Sequence, residues 1–117
     1  MNALQTISNA TADGYWDLPP EGAAEHLARF RIVDVREPDE YHGPLGHLVG
    51  AELIPMGGFP SAADGWEQKR PVLLVCRSGK RSGRVAALLA QQGFAEIYNL
   101  IGGMLVWNEL GLPLERA

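Results

Sequence analysis

The stretch Val72-Leu73-Leu74-Val75-Cys76-Arg77-Ser78-Gly79-Lys80-Arg81-Ser82 decides how this chain is read. Four apolar residues after Pro71 have the length of a short, fully buried strand. The only cysteine stands at its end, small and basic residues follow, and a helix is predicted from about Ser82 to Gln92. Val85, Leu88 and Leu89 give that helix one inner face, and Gly93 stops it. In such a strand–loop–helix unit, loop N–H groups, a helix N-terminus and the cations of Arg77, Lys80 and Arg81 meet at one point. All of them stabilise negative charge. A thiol at the mouth of this loop, reached by solvent, is therefore expected to work as a thiolate nucleophile on an anionic substrate. A lone cysteine is by default a small buried hydrophobe. Here the strand end, the glycine turn and the basic helix start supply the reactive setting instead.

Outward from this unit, short apolar runs alternate with helical segments. Residues 1–14 show no periodicity and read as a poorly ordered lead, and 15–117 as one domain. Pro19-Pro20-Glu21 opens a helix predicted to run to about Phe30, with Ala23, Ala24, Leu27 and Phe30 inward. Arg31–Val35 reads as a strand, Arg36–Tyr41 as a turn into one helical turn, and Gly43–Gly50 as loop. Ala51–Ile54 is a further short strand, and a short helix is expected around Ser61–Gln68. Glu96–Leu100 gives the last strand and Gly103–Leu110 the last helix. The pattern predicts an α/β fold with a mostly parallel central sheet of about five short strands and helices on both faces. In such a sheet the functional crevice lies outside the carboxyl ends of the strands, where Cys76 stands.

Composition narrows the function classes. The 117 residues are 46% hydrophobic and 21% charged, ordinary for a globular chain. The net charge of −4 is unevenly spread: residues 69–84 carry six bases and no acid, so the remainder carries −10. An acidic body with one basic window disfavours general nucleic-acid binding and favours a local anion site. No segment has the apolar length of a membrane span, and the start lacks a signal-peptide pattern, so the cytoplasm is the simplest location. His26, His42 and His47 show no metal-ligand spacing. No metal or cofactor is called for.

Three blocks together resemble the rhodanese family in its compact single-domain form. They are Asp34-Val35-Arg36-Glu37-Pro38-Asp39-Glu40-Tyr41 with Gly46-His47-Leu48-Val49-Gly50-Ala51, then Cys76–Ser82, then Gly102-Gly103-Met104-Leu105-Val106-Trp107 with Gly111-Leu112-Pro113. The resemblance spans about Leu18 to Leu114. It implies a rhodanese-like fold and sulfur transfer. Cys76 would take the outer sulfur of a donor such as thiosulfate, become a persulfide, and pass the sulfur to cyanide or to a thiol, a protein thiol included. Backbone N–H groups from Arg77 to Ser82 would form the anion cradle, with Gly79 allowing the turn. Arg77, Lys80 or Arg81 would attract the donor, or Arg81 would turn inward to an acid and brace the loop. Ser82 is expected to cap the helix and Ser78 to donate a hydrogen bond to the sulfur. Asp34 and Arg36 read as a buried ion pair, His47 as a structural histidine and Trp107 as core.

The chain also departs from the family. Some thiosulfate-specific members carry a lysine where Ser78 stands and an arginine where Glu40 stands, which leaves the donor open. The rival readings are a non-catalytic binding or redox-sensing module, a sulfur carrier for a biosynthetic pathway, and, least favoured, a cysteine phosphatase or arsenate reductase. The phosphatases place an arginine six residues after the cysteine; here Arg81 is fifth and Ser82 sixth.

Overall fold

Six strands form one sheet in the computed structural model, which describes residues 1–116. They are β1 (Asn9–Ala10), β2 (Trp16–Leu18), β3 (Arg31–Asp34), β4 (Glu52–Leu53), β5 (Val72–Val75) and β6 (Ile97–Leu100). Their order is β1-β2-β6-β5-β3-β4. Only the β1–β2 pair is antiparallel, so the sheet is mixed but mostly parallel. The helices are α1 (Ala3–Thr6), α2 (Pro20–Glu25), α3 (Pro38–Tyr41), α4 (Lys80–Gln91) and α5 (Gly103–Glu109).

Successive strand residues point to opposite faces, and this splits the core in two. On one face Leu73, Val75, Tyr98 and Leu100 pack with Ala23 of α2 and Met104 and Trp107 of α5. On the other, Val72, Leu74, Cys76 and Ile97 pack with Val85, Ala86 and Leu89 of α4. All four residues of β5 are buried, as an apolar run covered on both faces requires. The cysteine thus ends the central strand on the α4 face.

Several expectations need correction. The lead is built, not loose: Leu4 of α1 is fully buried in the α2–α5 core, and β1 pairs with β2. Neither strand has the length to show a period. The first long helix stops at Glu25, and Leu27–Arg29 is a 3-10 turn, because His26 leaves helical geometry at φ −130°. The region around Ser61–Gln68 holds only a 3-10 turn at Ser61–Ala63. In α4 the inward residues are Val85, Ala86 and Leu89; Leu88 is exposed, lying on the side turned from the sheet. α4 also starts two residues before the expected Ser82, at Lys80.

Candidate active site

The loop after β5 is fixed from below by backbone. Met104 N–H donates to the Cys76 carbonyl at 2.9 Å and Leu105 N–H to that of Arg77 at 3.1 Å. This approach is possible only because residue 103 is glycine: a Cβ there would lie 2.5 Å from both carbonyl oxygens. The first amides of α5 therefore take up the loop's carbonyls, leaving its N–H groups free to turn toward the sulfur. Gly79, at φ +98°, makes that turn and caps α4. Its N–H donates to Cys76 Sγ at 3.0 Å.

The Ser82 hydroxyl lies 3.3 Å from the same sulfur. It is fully buried and two residues inside α4, so it faces the thiol and does not cap the helix. Ser78 is exposed; among the described residues, Gly79 and Ser82 are the groups hydrogen-bonded to the sulfur, so the expected cradle narrows to one amide and one hydroxyl. A second correction concerns access. Cys76 has no exposed surface, so the sulfur lies beneath the loop and not at its mouth. Arg77, Ser78 and Lys80, in the loop and the first turn of α4, are exposed.

The cations divide. Arg81 turns inward, donating to both Glu40 carboxylate oxygens at 2.8 Å. These hydrogen bonds pull the Glu40 carboxyl down from 4.5 to about 2, against the opposing effect of desolvation. They also push the Arg81 guanidinium further up. Arg77 and Lys80 make no ion pair among the described residues and stand as the free cations of the loop.

Behind Glu40 lies a deeper pair. Asp34 and Arg36 are buried and joined at 2.7 Å, with Arg36 Nε also donating to the carboxylate. The remaining Arg36 donors hold the carbonyls of Glu40 and Gly46 at 3.1 and 2.7 Å. His47 stacks on Tyr41 at 3.7 Å, and its Nδ1 sits 3.0 Å from the Tyr41 carbonyl, which places the proton on that nitrogen. Asp34, Arg36 and His47 all act on the segment that carries Glu40, and none touches the sulfur. Trp107 is buried and donates to the Pro113 carbonyl at 2.8 Å.

Two features were missed from sequence. Asn99 is buried beside the loop and accepts from Ser82; the signal was an amide inside the apolar run Ile97-Tyr98-Asn99-Leu100. The other is a groove of about 360 Å³ between Arg77 and the segment Arg36–Leu45, walled by Pro44 and Leu45 and edged by Asp39 and Glu40. Among the described residues, no His, Cys, Asp or Glu cluster is arranged to hold a metal ion. No helix among them is long and apolar enough to cross a membrane.

A sheet of this order with a cysteine loop between its central strand and α4 defines the class, and comparison with known proteins agrees. The family model described as a rhodanese-like domain matches residues 19–110, and the chain belongs to that family. It is 42% identical to the uncharacterized protein YqhL of Bacillus subtilis over 67% of this chain and 60% of that one, so it spans less than two thirds of that relative. Against the thiosulfate sulfurtransferase GlpE of Stutzerimonas stutzeri the identity is 34%, over 78% of this chain and 83% of that one. Among solved structures, a rhodanese-like domain protein from Staphylococcus aureus superposes with a TM-score of 0.71 at 28% identity, covering 85% of this chain and 97% of that one.

Proposed function

We propose that the protein is a sulfurtransferase that carries a sulfane sulfur on Cys76. The observation behind this reading is a single cysteine held by the Gly79 amide and the Ser82 hydroxyl, in a loop whose exposed Arg77 and Lys80 make no ion pair among the described residues. In the first half-reaction the Cys76 thiolate attacks the outer sulfur of thiosulfate. A sulfur–sulfur bond forms, the bond to the sulfonate sulfur breaks, and sulfite leaves with the electron pair. The Gly79 N–H and a Ser82 proton turned toward the persulfide then hold its charge. In the second half-reaction cyanide or a thiol attacks the terminal sulfur, the sulfur–sulfur bond breaks, and the Cys76 thiolate returns. The scheme is ping-pong and needs no external oxidant.

Burial of Cys76 adds a step: the exposed Arg77–Ser78 segment must move for the donor to reach the sulfur. The groove beside Arg77, walled by Pro44 and Leu45, offers room for a thiol acceptor larger than cyanide. A phosphatase reading loses further ground, since Arg81 is engaged by Glu40 and not free over the sulfur. Mass spectrometry of the intact protein after thiosulfate treatment tests the proposal. The expected result is a gain of one sulfur that cyanide removes and that Cys76→Ser lacks. A folded wild-type protein that gains no sulfur, or a gain that persists in Cys76→Ser, sinks it. A binding module gives no gain; a carrier gains sulfur but does not turn over with small acceptors.

A further inference from the structure

Both groups that touch the sulfur are tied to one side chain outside the loop. Asn99 is buried, with 5% of its surface exposed. The strand register sets it between Asp17 of β2 and Leu74 of β5, two residues before Cys76. Its Nδ2 donates to the Gly79 carbonyl at 3.2 Å and to Asp17 Oδ1 at 3.1 Å. With two acceptors on that side, the amide orientation is settled, and Oδ1 faces the Ser82 hydroxyl.

We propose that Asn99 is a positioning residue of the sulfur site, holding the Gly79 carbonyl with its amide N–H and the Ser82 hydroxyl with its amide oxygen. The inference rests on the reading of Cys76 as the sulfur carrier. Gly79 needs such a brace. Gly79 itself sits at φ +98°, and its carbonyl, in the peptide that follows its N–H, accepts from both Asn99 Nδ2 and the Gly83 N–H. The two together fix the turn from which the Gly79 N–H meets the sulfur. Ser82 has one proton and two neighbours, Asn99 Oδ1 and Cys76 Sγ. While the sulfur is protonated, the Ser82 proton goes to Asn99 and the hydroxyl oxygen accepts the S–H. When the sulfur is an anion, the Ser82 proton turns to it. Asn99 thus gives the hydroxyl its resting direction and a fixed place from which to switch.

The test compares wild type with Asn99→Ala, Asp17→Ala, Ser82→Ala and the Asn99→Ala/Ser82→Ala double variant. Asp17 is partly exposed, so its replacement removes one acceptor of the amide without opening the core. In Asn99→Ala, deuterium exchange at the Gly79 amide should accelerate at least about tenfold while the Leu73 and Leu74 amides stay protected. Asp17→Ala should show about a threefold acceleration at Gly79. The rate of persulfide formation at saturating thiosulfate should fall at least about tenfold in Asn99→Ala, with KM changed less than about twofold. In the double variant the loss should be smaller than the product of the single losses, because part of the Asn99 effect passes through Ser82. Unchanged Gly79 exchange in Asn99→Ala, a loss confined to KM, or fully multiplicative losses would overturn the inference. The exchange measurement is independent of activity: a wild type that forms no persulfide sinks the proposed function, and Gly79 exchange still decides the placement of Asn99.

Discussion

Glu40 decides how much positive charge the loop presents. Its carboxylate takes both Arg81 donors and also accepts the Glu37 N–H, and those contacts hold it down at about 2. A carboxyl lowered in the folded state contributes stability that is complete above its unfolded value of about 4.5 and is lost as pH falls through about 2. Glu40→Gln lacks that contribution. The pair is partly exposed, so the stability gap between the two proteins should stay below about 1 kcal/mol at neutral pH. Urea unfolding should show a constant gap from pH 7 to pH 5 that closes between about pH 4.5 and pH 2. A gap that widens on acidification contradicts the assignment. Of the individual residues, Cys76 and its neighbours were legible because strand, loop and helix are contiguous in the chain, and the Asp34–Arg36 pair because its members are two apart. The partner of Arg81 was not legible, lying 41 residues away, and Asn99 was hidden because its partners on β2 and in the loop meet only through the sheet register.

At the level of elements, four strands were read from sequence: β3, β5 and β6, whose buried apolar runs mark them by composition, and the shorter, more exposed β4, bounded by Pro55. β1 and β2, of two and three residues, are recruited by pairing with one another and with β6, a tertiary effect that no local pattern announces. The same holds for α1, four residues anchored by Leu4. The contact between α5 and the loop is different, because the glycine that permits it is visible in the chain. Gly103 has φ +57°, and a side chain there meets the Cys76 and Arg77 carbonyls. Gly103→Ala should therefore cost about 2 kcal/mol or more from backbone strain and the collision together. That corresponds to a fall in Tm of roughly 8 °C or more, with at least about a tenfold loss of persulfide formation as the loop is pushed outward. Gly57→Ala is the matched control, since nothing lies within 4 Å of a Cβ at that position. Its stability should stay within about 0.5 kcal/mol of wild type. Equal melting curves for all three proteins would mean that α5 does not support the loop as described.

Across the whole molecule the charge is segregated, with +6 in residues 69–84 and −10 elsewhere. The structure changes the weight of that window. Arg81 is neutralised by Glu40, which leaves Arg77 and Lys80 as the exposed cations of the sulfur loop, while the acidic remainder repels anions approaching from other directions. A dianionic donor is then drawn by a small local field and opposed by the overall one, and both are screened over about 10 Å at 0.1 M salt. With Arg77 and Lys80 in the loop that follows Cys76, a donor at the sulfur should feel local attraction more than the overall repulsion, so salt should weaken its binding. Raising ionic strength from about 0.05 to 0.5 M should raise KM for thiosulfate several-fold and leave kcat within about twofold. Arg77→Ala should raise KM at low salt and flatten its salt dependence, since it removes one of the two free cations. A salt-independent KM in wild type, or an Arg77→Ala variant with the wild-type salt slope, would show that the donor is held by the Gly79 and Ser82 contacts alone and that the basic window serves some other contact of the protein.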